Sequence, residues 1–176
     1  QPFLDLLLGL SKKIKLTYDL NEYLTPLNTA EISGDSPYND SQVGSVIRIY
    51  EEEIPNLSDI DIVIVGINEY RGGGIRVGKN AADEVRRKFY EFHYWHKEIS
   101  IADIGNIKNG ASLKDSYAAI TIVLKELFQL HKTVVIIGGS HDNTLAQYLA
   151  YKELNQIIDV TVVDATIDLR SESPLR

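Results

Sequence analysis

Val134-Val135-Ile136-Ile137-Gly138-Gly139-Ser140-His141-Asp142 is the stretch on which the fold turns. Four consecutive β-branched residues closed by glycine form a short apolar run of the kind carried by strands buried on both faces of a parallel sheet. The Gly-Gly pair lets the backbone bend sharply where the strand ends, which sets the following side chains over the sheet edge. Val160-Thr161-Val162-Val163, followed by Asp164-Ala165-Thr166-Ile167-Asp168, repeats the arrangement. One His and two Asp are therefore expected at the carboxyl ends of neighbouring parallel strands, the edge where open α/β sheets place their sites.

Upstream of this stretch, from Asp59 onward, strand and helix signals alternate. Ile60 to Ile67 is nearly continuous in Ile and Val and predicts a buried strand. A loop carrying Gly72-Gly73-Gly74 follows, and Asn80 is placed to cap a helix running to about Trp95, with Val85, Phe89 and Phe92 on its apolar side. Ile99 to Ile104 predicts a second strand. Ser112 with Asp115 three residues on has the form of a capping box, and Tyr117, Ile120, Leu124, Leu127 and Phe128 give a helical stripe to about His131. The third strand, a helix over 143–154 and a fourth strand at Val160–Val163 complete a β-α-β-α-β-α-β order. That order argues for an α/β fold of three α/β/α layers around a mainly parallel sheet.

The first sixty residues read differently. Lys12 to Leu27 alternates loosely between polar and apolar, and Ser33 to Ser41 is turn-rich. Val43, Val46, Ile47 and Tyr50 recur at helical spacing before Pro55, which predicts a surface helix. The whole is expected to be a single domain over 1–176: an N-terminal extension and helix over 1–58, a βα core over 59–169 and a tail over 170–176. Polar residues with Pro174 follow the last strand, and the chain contains no Met at all, so it reads as a truncated piece of its fold.

Composition bounds the function. A net charge of −7 argues against nucleic acid or an anionic membrane as partner. No apolar run approaches the roughly 20 residues of a membrane span. Leu4 to Leu10 is apolar but lacks the basic flank and small-residue cleavage site of a signal peptide. With no cysteine, a disulfide scaffold, a thiol nucleophile and thiolate-ligated zinc are all excluded. The cytoplasm is the expected compartment.

Taken as residues alone, the two strand ends leave alternatives open. A lone His141 after a strand serves equally as a structural contact at a helix start. Asp164 and Asp168, four apart, converge on one cation if the backbone turns between them; otherwise Asp164 caps a loop and Asp168 is solvated. Hard oxygen ligands with one imidazole suit Mn²⁺ better than Zn²⁺ or Ca²⁺. Arg71, Arg76 and Lys79 around the glycines could cradle an anion, but neither a Gly-Lys-Ser/Thr ending nor a Gly-x-Gly-x-x-Gly is present, which favours an active-site loop. His93, Trp95 and His96 read as a surface cluster. Ser140 beside His141 is not a nucleophile–base pair, because such partners meet through folding.

The element order over 59–169, the glycine-rich loop, Ile-Ala-Asp-Ile-Gly-Asn at 101–106 and Gly-Gly-Ser-His-Asp at 138–142 resemble the arginase, agmatinase and formiminoglutamase superfamily, most closely its formiminoglutamase-like branch. The resemblance implies an arginase-like fold and hydrolysis of guanidino or formimino C–N bonds in a small-molecule substrate at a binuclear Mn²⁺ site. It points to His141, Asp164 and Asp168 as metal ligands, Asp164 bridging and Asp168 joining His141. It also implies a homo-oligomer, the common state of the family.

This chain departs from the family pattern at three places. Thr166 stands where a ligand His belongs, Ser140 replaces an Asp, and the Asp-x-Asp motif that serves both metals falls beyond residue 176. The resemblance therefore allows two functional readings, a metal-dependent C–N hydrolase with an incomplete site in this chain, or an inactive arginase-like domain used in binding or assembly. An unrelated doubly wound domain holding a small anion at the Gly138-Gly139 turn is the third.

Overall fold

The computed structural model describes residues 17–34, 37–75 and 80–165. Its centre is β3 (Ile62–Ile67), whose side chains are buried on both faces, as its unbroken Ile/Val composition requires. Val63, Val65 and Ile67 point into one apolar cluster and Ile64 into another on the opposite side. β4 (Ile101–Ile107) and β5 (Thr133–Ile137) flank β3 in parallel, with Val63 opposite Ala102 on one side and Val134 on the other. The outer edge of β4 is shared by two short strands. β2 (Arg48–Ile49) pairs parallel to Ala102 and Asp103, and β1 (Leu24–Thr25) pairs antiparallel to Asn106 and Ile107.

Helices cover both faces, giving the three layers and the mainly parallel sheet expected from the sequence. On one side lie α3 (Leu113–Gln129) and α4 (Thr144–Glu153). Tyr117, Ile120, Leu124, Leu127 and Phe128 are all buried, so the helical stripe faces the sheet. The capping box forms: Ser112 Oγ accepts from Asp115 N at 3.2 Å, and Ser112 N donates to Asp115 Oδ2 at 2.9 Å. Phe128 stacks on Tyr151 across the two helices, with centroids 4.1 Å apart. The other face is covered by α2 (Ala81–Phe89), the short α1 (Thr29–Ser33) and the buried Val43 and Ile47.

Three elements differ from expectation. The helix predicted over Val43–Tyr50 is a single 3-10 turn, Val43–Ser45, that then extends into β2. Edge pairing wins over the helical spacing: Tyr50 N donates to Asp103 O at 2.9 Å and Leu27 N to Tyr50 O at 2.8 Å. The helix capped by Asn80 does form, with Asn80 Oδ1 accepting from Asp83 N at 3.2 Å, but it stops at Phe89 instead of Trp95. Beyond it the chain pairs with residues 41–44, Val43 N donating to Phe92 O and Tyr94 N to Ser41 O. The inward face of α2 is also not the one predicted. Val85 and Phe92 are exposed, whereas Ala82, Arg86 and Tyr90 are buried.

The third difference is the fourth strand. Val160, Val162 and Val163 lie exposed in irregular chain, and among the described residues nothing pairs with them or with the outer edge of β5. High β-propensity makes a strand only where a neighbouring strand supplies hydrogen bonds and a surface to pack on. Leu4–Leu10, Arg76, Lys79, Thr166, Asp168 and the tail lie outside the described residues.

Arg86 faces inward because every nitrogen of its guanidinium is used. Nε and Nη2 donate to the two oxygens of Asp103 at 2.8 and 2.9 Å. Nη1 reaches Asn106 Oδ1 at 2.7 Å and Asp83 Oδ1 at 2.8 Å, and Nη2 also reaches Gly105 O at 2.9 Å. Tyr90 Oη donates to Asp103 Oδ2 at 2.9 Å; burial first, then the Asp103 charge, pushes its phenol well above the ordinary range. The pair bolts α2 to β4. Asp103→Asn leaves the buried guanidinium with only the part-exposed Asp83 as counter-charge, and a loss of about 3 kcal/mol in unfolding free energy is expected from urea denaturation. A loss below about 1 kcal/mol would contradict this role.

Candidate functional site

β3, β4 and β5 end at the same sheet edge, and the loop after each contributes to one cluster. After β5, Gly138 and Gly139 take positive φ values of 84° and 76°. A Cβ on Gly138 would lie 2.7 Å from Ile67 O, and one on Gly139 2.4 Å from Asn143 Nδ2, so the turn needs both glycines. It delivers His141 into a 3-10 turn, His141–Asn143, that opens α4.

His141 Nδ1 comes within 3.6 Å of Asp164 Oδ2. Two of the residues singled out in the sequence are thus brought together, each partly open to solvent, even though the strand expected to carry Asp164 is absent. The separation is longer than a good hydrogen bond. Asp168 and Thr166 fall outside the described residues. Among the described residues no group of three or more His, Cys, Asp or Glu gathers in a metal-holding arrangement, at this edge or around His93 and His96. His93 instead packs edge-on against the exposed Trp95, and His96 Nδ1 lies 3.2 Å from Glu98 Oε1.

Behind His141 stands a network that residue type alone does not reveal. The carbonyl of Glu69 accepts from Ser140 N at 2.9 Å, Ser140 Oγ at 3.2 Å and Asn143 Nδ2 at 2.9 Å. The fully buried Glu69 carboxylate accepts from Arg71 Nη2 at 2.6 Å, Arg71 Nε at 2.9 Å and Arg71 N at 2.9 Å. Arg71 also donates to Gly110 O and Ala111 O, each at 2.9 Å, and to Ser116 Oγ at 3.0 Å. The loops after β3, β4 and β5 are therefore tied together through one residue pair. Arg71 spends its donors on the protein, which removes it from any anion cradle. The only sequence signal for this network was an acidic residue two before an arginine, ahead of a glycine run.

Asp142 completes the edge. Its carboxylate accepts from the Tyr117 hydroxyl and lies against Gly72, where a Cβ would come within 1.9 Å of Asp142 Oδ2. Burial first, then Asp142, raises the Tyr117 phenol above its ordinary range. Asp142 Oδ1 and Asn143 Oδ1 are buried with no hydrogen bond. Orphaned acceptors of this kind call for water or a cation nearby. His141 belongs to the same turn and the Asp164 carboxylate approaches it from later in the chain, and imidazole with carboxylate oxygen is a donor chemistry that fits a hard divalent ion such as Mn²⁺.

Burial alone would raise the Glu69 carboxyl, but hydrogen bonds from Arg71 and Ser116 outweigh it and hold the pKa at about 2, from an ordinary 4.5. A depressed carboxylate stabilises the fold fully above its unfolded value and loses that contribution as pH falls toward the folded one. Glu69→Gln is therefore expected to lower stability by about 3 kcal/mol at pH 6. That deficit shrinks progressively as pH falls from about 5 to 2 in urea melts. A deficit independent of pH would contradict the role of the Glu69 charge.

The arginase family model matches residues 59–175. The chain is 26% identical over 140 residues to a formimidoylglutamase of Streptococcus gordonii, covering 72% of this chain and 42% of that protein. It is 31% identical over 101 residues to a formimidoylglutamase of Staphylococcus epidermidis, covering 55% and 32%. The chain thus spans about two fifths or less of the length of these relatives. The fold matches a Trypanosoma cruzi formiminoglutamase solved with Mn²⁺ at a TM-score of 0.52 and 18% identity, over 65% of this chain and 41% of that one. With more than half of its residues matched by the family model, this chain belongs to the arginase family.

Proposed function

We propose that this chain supplies one ligand edge of a metal-dependent hydrolase of linear C–N bonds, guanidino or formimino, with His141, Asp164 and Asp168 holding Mn²⁺. The observation that carries the reading is the approach of His141 Nδ1 to Asp164 Oδ2 at 3.6 Å beside two orphaned buried acceptors. The formimidoylglutamase relatives and the Mn²⁺-bound structural neighbour support it. Bound manganese would supply an acidified water and Lewis-acid polarisation of the C–N carbon. The chain's own residues do the positioning. The Gly138-Gly139 turn aims His141, the Glu69 carbonyl holds Ser140 and Asn143 in place, and Tyr117 fixes Asp142 against the loop of Gly72. The acidic chain, whose described helices include none long and apolar enough to cross a membrane, suits a small-molecule substrate in the cytoplasm.

A second reading is favoured by Thr166 in the place of a family ligand: an arginase-like domain without turnover, used in binding or assembly. A Mn²⁺-supplemented assay for formamide or ammonia from N-formimino-L-glutamate, and for urea from arginine and agmatine, separates the two. The hydrolase reading expects turnover from a protein in which this chain is joined to the Asp-x-Asp segment that the family resemblance implies, falling to background in His141→Ala and Asp164→Asn. Absence of turnover on all three substrates contradicts it and leaves the binding domain.

A further inference from the structure

Asn109-Gly110 is the only asparagine–glycine pair in the chain, and it lies in the loop between β4 and α3. Such a pair is chemically labile in any polypeptide, because the amide nitrogen of a residue with no Cβ reaches the side-chain Cγ of the preceding asparagine easily. Asn109 is exposed to solvent. The glycine is not replaceable: a Cβ at Gly110 would lie 2.3 Å from Asp115 Cβ and 2.8 Å from both Asp115 C and Ser116 N. The turn that leads into α3 therefore demands the residue that opens Asn109 to attack.

The attacking nitrogen and the leaving nitrogen are both held. Gly110 N donates to Ser116 Oγ at 2.9 Å, and Asn109 Nδ2 donates to Asn68 O at 2.9 Å. Ring closure needs Gly110 N turned toward Asn109 Cγ, so both hydrogen bonds oppose it until they open. The pair also sits on the tie between the loops, since Gly110 O accepts from Arg71 Nη2 at 2.9 Å.

We propose that Asn109 is a site of spontaneous deamidation gated by these two hydrogen bonds. Gly110 N loses its proton and bonds to Asn109 Cγ; the Cγ–Nδ2 bond breaks, and Nδ2 leaves as ammonia with that proton. Water then opens the five-membered succinimide at one of its two carbonyls. Opening at the side-chain carbonyl gives aspartate. Opening at the main-chain carbonyl gives isoaspartate, whose backbone runs through Cβ and is longer by a methylene. Either product carries an added negative charge at neutral pH. The lengthened backbone lies directly ahead of the Gly110 carbonyl that Arg71 holds, so the modification acts on the tie between the loops. No step depends on metal at the His141 edge.

Peptide-mapping mass spectrometry of the chain during incubation at mildly alkaline pH tests this, with a free peptide of residues 105–114 as reference. Conversion of amide to acid is expected at Asn109 ahead of every other asparagine, on the order of 30-fold slower than in the peptide, the scale of two hydrogen bonds. Ser116→Ala removes one of these bonds and is expected to speed conversion about fivefold. Ile32→Ala, in the core on the opposite face of the sheet, lowers global stability without touching the loop, and the rate is expected to stay within about twofold because the gating is local. Absence of preferential conversion at Asn109, or conversion as fast in the folded chain as in the peptide, overturns the proposal. So does a rate that Ser116→Ala leaves unchanged, or that Ile32→Ala raises as much as Ser116→Ala does.

Discussion

The Glu69–Arg71 ion pair is the constraint on which the candidate site depends. Strands fix where their ends lie but not how the loops beyond them sit, and three such loops meet here. Glu69 closes the gap with two separate groups: its carbonyl takes three donors from Ser140 and Asn143, and its carboxylate takes the fork of Arg71. Arg71 then carries the tie onward to Gly110, Ala111 and Ser116. A planar guanidinium suits this task because its donors are held in a rigid array and its charge is permanent. The arrangement places His141 on a backbone held from behind while its own ring stays open to solvent.

Much of the fold was legible because strand burial and helix spacing leave strong marks. The buried Ile/Val run of β3, the capping box of Ser112 and Asp115 and the Tyr117–Phe128 stripe form as the sequence implies, whereas the β5 run forms a strand that lies at the sheet edge with Val135 exposed instead of buried on both faces. What was hidden is instructive in physical terms. The inward face of α2 runs through Arg86, which a hydrophobic pattern assigns to solvent; only its full set of acceptors in the fold reverses that. The Val43–Tyr50 spacing is that of a helix, and the pairing with Asp103 that overrides it is non-local. Val160–Val163 has the composition of a strand but no neighbour in the described structure to make it one.

The site divides along the same line. His141 and Asp164 were readable from their places after β-branched runs, and they meet although the second run is not a strand. Glu69, Tyr117 and Asp142 were not, since each is an ordinary residue until folding puts a partner beside it. Membership of the arginase family explains why the two motifs recur in one chain. Thr166 and the span of the chain, some two fifths of the Streptococcus gordonii relative, keep the chemistry a proposal about residues rather than a property of the family name.

The central claim is that the turn after β5 presents a divalent-metal edge through His141 and Asp164. Calorimetric titration of the chain with Mn²⁺ tests it most directly, with His141→Ala and Asp164→Asn run beside it. The account predicts saturable binding to the unsubstituted chain that weakens at least about tenfold in each variant, a change of about 1.4 kcal/mol. Heat that is the same in all three proteins, or no binding to the unsubstituted chain, would contradict it.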